Sequence, residues 1–165
     1  MDAAAWGFIG TLVGALTSIG TTWIASTVSR NMQSDKQKEE RREKAKDFQR
    51  TTLLDLQESI HDVERMFRKV HYEQFKEFAK TDKWGGVRLT DETVQRRSVA
   101  VRNTTILLER VENTEIRDGI RSFMQTISKQ LALKDLHDAE DLEREMESKF
   151  DYLIKDLGAV LRSYY

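Results

Sequence analysis

The sequence contains no cysteine and no proline among its 165 residues. Without cysteine the chain forms no disulfide and has no thiolate nucleophile, and the absence agrees with a reducing compartment. Without proline, no residue removes a backbone N–H from the interior of a helix. Glycine is also scarce, because only four glycines follow residue 28. Together with the lack of any segment that alternates apolar and polar residues, these absences predict an all-α protein.

Charge is abundant but is missing from the start of the chain. The sequence has 27 Lys and Arg against 28 Asp and Glu, yet residues 3–29 are uncharged. A bilayer core needs about 20 helical residues. We therefore predict a transmembrane helix in an anchor domain of residues 1–29. Because no basic residue precedes it, we expect it to be retained rather than cleaved as a signal peptide. Trp6, Trp23 and Arg30 are the predicted membrane-interface anchors.

The residues that flank this segment predict its orientation. No Lys or Arg precedes it, whereas eight lie in residues 30–50. The positive-inside rule then places the N-terminus outside and the C-terminal domain in the cytoplasm. The predicted location is a single pass through a bacterial inner membrane.

Small and hydroxyl side chains recur along one face of the predicted span. Such a face lets helix backbones approach closely in lipid, which predicts a homo-oligomer within the bilayer. The alternative is a lone anchor rich in small residues, since glycine is common in membrane helices. A ring of these helices would also turn hydroxyl groups inward, so a pore is a second interpretation that the same residues allow. The residues of this helix-packing or pore-lining face are Gly7, Gly10, Thr11, Gly14, Ser18, Thr22 and Ser26.

Two further domains are predicted after the anchor. Residues 30–50 are polar on every side and predict a charged juxtamembrane helical stalk. Residues 51–165 predict a cytoplasmic helical bundle. Its first helix has an apolar seam with the three-four spacing of a coiled coil. The seam consists of Leu53, Leu56, Ile60, Val63, Phe67 and Val70, and Phe75 and Phe78 extend its apolar side.

Three more apolar faces follow in the bundle. Tandem glycines at Gly85 and Gly86 predict a turn, and Thr90 is a predicted N-cap. Whether the last two helices are separate or continuous near Lys134 and Asp135 is left open. The predicted faces are Val94, Val101, Thr105 and Leu108 in the second helix, which ends near Val111; Ile116, Ile120, Phe123, Ile127 and Leu131 in the third; and Leu142, Met146, Phe150, Leu153, Leu157, Val160 and Tyr164 in the last.

Residues that could carry chemistry are few. Glu58 and His61 match the Glu-x-x-His spacing of di-iron bundles once, but such bundles need two copies. Motifs for a nucleotide-binding loop or a serine nucleophile elbow are absent. We therefore predict a non-enzymatic protein with no catalytic residue, no metal and no cofactor.

Three residues are candidate contacts to a protein partner, namely Trp84, Arg96 and Arg97. The two arginines form a basic cluster with Arg102 that could hold a phosphate. The alternatives are a solvated helix face and a loop tryptophan folded onto its own bundle. Because the domain is neutral, it lacks the basic footprint of a nucleic-acid binder, and no nucleic acid partner is expected.

The layout resembles that of small bacterial single-span membrane proteins. The shared features are the anchor sequence Trp-Gly-Phe-Ile-Gly-Thr-Leu-Val-Gly at residues 6–14, a charged stalk and a helical cytoplasmic domain. Some of these proteins resemble CRISPR-associated or anti-phage pore-forming effectors. The resemblance implies an oligomeric pore-forming or membrane-disrupting effector gated by its bundle, and it transfers no site residue. The alternative is a membrane-tethered adaptor or scaffold that recruits a cytosolic partner.

Overall fold

The computed structural model describes the backbone of residues 3–165 and the side chains of residues 23, 26, 28–30 and 32–165. This part of the chain is all-helical and has no strand, as the sequence predicts. It divides into two compact units, Met1–Ala45 and Lys46–Tyr165. The helices are α1 (Ala3–Thr81), α2 (Asp91–Leu108), α3 (Thr114–Lys129) and α4 (Leu136–Arg162), with a 3-10 turn at Gln130–Ala132.

The structure corrects the predicted membrane location. Among the residues that it describes, no helix has an apolar stretch long enough to cross a membrane. Such a stretch needs about 20 residues. In the described part of α1, residues 30–50 instead hold eight basic and five acidic residues, and the side chains of residues 32–48 are exposed. The predicted single pass through a bacterial inner membrane, with the C-terminal domain in the cytoplasm, is therefore wrong.

Most of the predicted anchor residues cannot be placed. Ser26, Trp23 and Arg30 are described and exposed. The role predicted for Trp23 and Arg30 at a membrane interface depended on the location just corrected. The residues whose side chains lie outside the described part are Gly7, Gly10, Thr11, Gly14, Ser18, Thr22 and Trp6. Helix packing through this face stays a prediction.

The core of the Lys46–Tyr165 unit is built around the predicted seam of α1. Its six residues are each at most 2% exposed, which confirms the seam from Leu53 to Val70. The three-four spacing then continues to Gln74, which is buried, and not to Phe75, which is 50% exposed. Extension of the seam through Phe75 was therefore wrong, because position 74 and not 75 lies on the buried side of the helix.

Helices α3 and α4 supply most of the remaining core. The predicted face of α3 is confirmed from Ile116 to Ile127, but Leu131 is exposed because α3 ends before it. Phe150 and Val160 on α4, and Tyr164 just after its end, are only partly buried. The fully buried members of the predicted α4 face are Leu142, Met146, Leu153 and Leu157.

Two glutamine side chains form hydrogen bonds between α1 and the segments that follow α2 and α3. The Gln49 side chain donates to the carbonyl of Arg110 at 3.0 Å and accepts from the backbone N–H of Glu112 at 3.1 Å. Gln130, buried in the 3-10 turn, donates to the carbonyl of Phe67 at 2.8 Å. Because buried or loop backbone groups need partners, these amides hold the two loops against α1.

Ion pairs join the helices at the surface of the same unit. Arg68 on α1 pairs with Glu64 and, at 3.0 Å, with Glu147 on α4. The hydrogen bond to Glu64 raises the pKa of Arg68 above its ordinary value. On α4, Glu145 accepts hydrogen bonds from Lys149 on the same helix and from Thr126 on α3. These hydrogen bonds lower the pKa of the Glu145 carboxyl group.

The last two helices are separate, and Asp135 is the residue that begins α4. Its side chain accepts from the backbone N–H of His137 at 2.8 Å. Replacing Asp135 with alanine is expected to lower the free energy of unfolding by about 1 kcal/mol, because the first turn of α4 loses its cap. Urea denaturation followed by circular dichroism measures this. The control is Asp151→Ala on the exposed side of α4, and equal losses in both variants would contradict a capping role.

Candidate partner-binding site

Helix α2 buries its small and hydroxyl residues and exposes its large apolar ones. The predicted face of this helix was largely wrong: Val94 is 51% exposed, Thr105 is exposed and Val101 is partly buried, whereas Leu108 is buried as predicted. The residues that face the core are Thr93, Ala100, Thr104 and Leu108. The predicted face therefore lies one position away from the buried one along most of the helix.

A buried pair of hydroxyl groups explains why a threonine, rather than a purely apolar residue, lies at the interface between α1 and α2. Thr104 donates to the carbonyl of Ala100 at 3.0 Å, and its oxygen lies 2.7 Å from that of Ser59 on α1. A hydroxyl carries one proton, so Ser59 must be the donor to Thr104. Both groups are satisfied, and their burial costs little. Apolar periodicity cannot reveal such a contact, because the contact depends on a partner 45 residues away in the chain.

Beside this pair, α1 and α2 border two adjoining cavities of about 550 and 420 Å³ that are open to solvent. We call them together the α1–α2 groove. Asp62 and Asn103 line both cavities, and the exposed side chains of Val99 and Ile106 lie along the α2 wall. The other lining residues are Asp55, Glu58, Ser59, Arg65 and Met66 on α1 and Gln95, Arg96, Ala100 and Leu107 on α2.

The α1 wall of the groove is acidic. Asp62 pairs with Arg65, but neither Asp55 nor Glu58 has an ion-pair partner within the part of the chain that the structure describes. At the other end, Arg96 pairs with Glu92 on its own helix at 2.7 Å. The groove therefore presents two uncompensated carboxylates next to apolar side chains.

Of the predicted partner contacts, Trp84 is not at the surface. It is 7% exposed, and its ring centroid lies 5.3 Å from that of His71 and 6.0 Å from that of Phe78. This arrangement matches the alternative of a loop tryptophan folded onto its own bundle. The backbone turns at Gly85, where φ is +79° and a Cβ atom would lie 2.9 Å from the carbonyl oxygen of Leu133.

The other two predicted contacts lie on opposite flanks of α2. Arg96 lines the α1–α2 groove, whereas Arg97 lines a smaller cavity with Val94 and Leu131. The structure therefore does not bring them to one site. Sequence reasoning missed Val99 and Ile106, although their separation of seven residues was a usable signal for a shared helix face.

Comparison with known proteins adds nothing to this geometry. No protein-family model, curated protein or solved structure matches the chain.

Proposed function

We propose that this protein is a non-enzymatic binding module whose α1–α2 groove receives an amphipathic helix of a partner protein. The partner helix presents apolar residues to Val99 and Ile106 and lysine or arginine to the acidic α1 wall. Recruitment of a partner is the part of the adaptor hypothesis that the groove supports. A pore and a membrane tether both depend on the corrected location, and neither belongs to this proposal.

The observation that carries the proposal is the exposure of Val99 and Ile106. They are 50% and 44% exposed although they border cavities next to the core. Seven residues along a helix span about 10.5 Å, two turns, so both can contact successive turns of one docked helix. Binding of an amphipathic helix in a groove uses anchors at this spacing.

The acidic residues of the α1 wall favour a partner helix with basic side chains. Asp55 and Asp62 are also seven residues apart, and Glu58 lies between them on the same wall. Lysine or arginine on the edge of a docked helix would compensate Asp55 and Glu58, whereas glutamate would add repulsion. Complementary charges of this kind change association rates and selectivity more than total affinity, and their effect weakens with salt.

The arrangement of hydroxyl groups supports the non-enzymatic part of the proposal. Ser59 is the hydroxyl that lines the groove, and it is buried with its proton directed to Thr104. A nucleophile needs an adjacent base that accepts its proton. Thr104 is not such a base.

The test uses the full-length protein and two fluorescent helical peptides of about 20 residues, long enough to form helix in isolation. Both have leucine at the a and d positions; one has lysine and the other glutamate at e and g. Fluorescence anisotropy should show that the lysine peptide binds more tightly. Raising salt from about 0.1 to about 0.5 M should reduce this preference.

Substitutions in the groove test its apolar and its charged contacts separately. Replacing both Val99 and Ile106 with serine should weaken binding about tenfold or more, because the apolar anchors lose their contacts. Replacing both Asp55 and Glu58 with lysine should reverse the preference in favour of the glutamate peptide. Tyr152→Ser, on the exposed side of α4, is the matched control and should change neither affinity. Equal binding of both peptides to the wild type would reject the proposal. Light scattering shows whether a second copy of the chain occupies the groove instead.

A further inference from the structure

The flank of α2 opposite the groove carries a second, smaller cavity of about 240 Å³. Its lining residues on α2 are Val94, Arg97, Ser98 and Val101, and Leu89 and Leu131 close it from the preceding loop and the 3-10 turn. The α2 residues follow the i, i+3, i+4, i+7 spacing of one helix face. The volume is below the roughly 300–1,000 Å³ of sites for drug-sized ligands, so the cavity suits a smaller molecule. We call it the Arg97 cavity.

Arg97 is the charged residue of this cavity and is incompletely satisfied. One terminal nitrogen donates to the carbonyl of Ile127 at 3.4 Å, and the Nε–H group is buried without an acceptor. No carboxylate of the described residues pairs with it, whereas Arg96 next to it pairs with Glu92 at 2.7 Å. Burial lowers the pKa of the Arg97 guanidinium. A partly desolvated cation without a counter-ion is less stable than a paired one, and an anion in the cavity would supply the missing counter-charge.

We infer that the Arg97 cavity binds the carboxylate of a small aliphatic acid, held by Arg97 and Ser98, with its apolar group among Val94, Val101 and Leu131. The planar fork of a guanidinium matches the two oxygens of a carboxylate. The apolar lining accepts the hydrocarbon part. Inorganic phosphate fits less well, since a dianion needs more donors than Arg97 and Ser98 provide and is costlier to desolvate.

Two molecules share this chemistry: a free short-chain fatty acid and the C-terminal leucine of a peptide. Isothermal titration calorimetry of the full-length protein with hexanoate tests the first, and titration with a peptide that ends in leucine tests the second. Hexan-1-ol, acetate, phosphate and the C-terminal amide of the same peptide are the matched controls. At least one aliphatic carboxylate should bind, each more tightly than its uncharged counterpart, and the tighter of the two identifies the source.

Variants separate the cavity from other surfaces. Arg97→Gln should weaken carboxylate binding about tenfold or more, because a charged hydrogen-bond pair is lost. Arg97→Lys keeps the charge without the fork and should lie between Arg97→Gln and the wild type. Val101→Phe fills the cavity while Arg97 remains, and it should abolish binding. Arg102→Gln, an exposed arginine on the same helix, should bind as the wild type does.

A readout other than affinity locates the bound carboxylate at Arg97 and not at the α1–α2 groove. The side-chain Nε–H resonance of Arg97 in a ¹⁵N spectrum should shift on addition of the carboxylate and not on addition of the alcohol. The inference is wrong if neither carboxylate binds the wild type, if the alcohol binds as well as the acid, or if Arg97→Gln or Val101→Phe retains wild-type affinity.

Discussion

Replacing Phe67 with alanine is expected to lower the free energy of unfolding by about 3–5 kcal/mol. Phe67 is a residue of the α1 seam that is 1% exposed, and its backbone carbonyl accepts the hydrogen bond from Gln130. Removal of the ring leaves a cavity that the surrounding helices can fill only in part. Because domains of this size are stable by roughly 5–15 kcal/mol, the loss should be visible as a large shift of the urea midpoint.

The matched control is Phe75→Ala on the same helix. Phe75 is 50% exposed, so its truncation removes little buried area and should cost less than about 1 kcal/mol. If the two variants lost similar stability, the seam would continue through position 75 and the register described for α1 would be incorrect.

The second large effect is expected at Gly85. An alanine there must adopt φ of +79°, and its Cβ atom would lie 2.9 Å from the backbone carbonyl oxygen of Leu133. Left-handed backbone strain costs about 1–2 kcal/mol in residues other than glycine, and the contact adds to it. We expect Gly85→Ala to lower the free energy of unfolding by roughly 1–3 kcal/mol.

Gly86→Ala is the comparison for this prediction. Its added Cβ atom would meet only the carbonyl oxygen of Lys83, at 3.9 Å, which is ordinary van der Waals distance. Its effect should therefore stay within about 0.5 kcal/mol, as for most surface substitutions. Equal tolerance of alanine at both positions in thermal denaturation would show that the loop does not need the conformation found at Gly85.

Most of the candidate site could not be predicted from the sequence. Its position depends on which flank of α2 faces α1, and the buried contact between Ser59 and Thr104 is part of that interface. Two residues 45 positions apart in the chain form this contact. Once it is fixed, Val99 and Ile106 lie at the groove and Val94 lies on the other flank.

The two predicted arginines illustrate the same limit. Arg96 and Arg97 are neighbours in the sequence, and successive helical residues point about 100° apart. Their nearness in the sequence predicted a single basic cluster. In the tertiary structure Arg96 is paired with Glu92 beside the groove, whereas Arg97 is partly buried in a separate cavity.

Local sequence patterns correctly predict the all-α class, the α1 seam from Leu53 to Val70, the N-cap at Thr90 and most of the buried faces of α3 and α4. These features depend on local rules: the lack of proline, the period of a helix and the hydrogen bond of a capping side chain. The burial of Thr104, Gln74 and Trp84 and the cavities on both flanks of α2 depend instead on tertiary contacts. Those features depend on which surfaces of distant segments meet, as the contact of Thr104 with Ser59 and the packing of Trp84 against His71 and Phe78 illustrate.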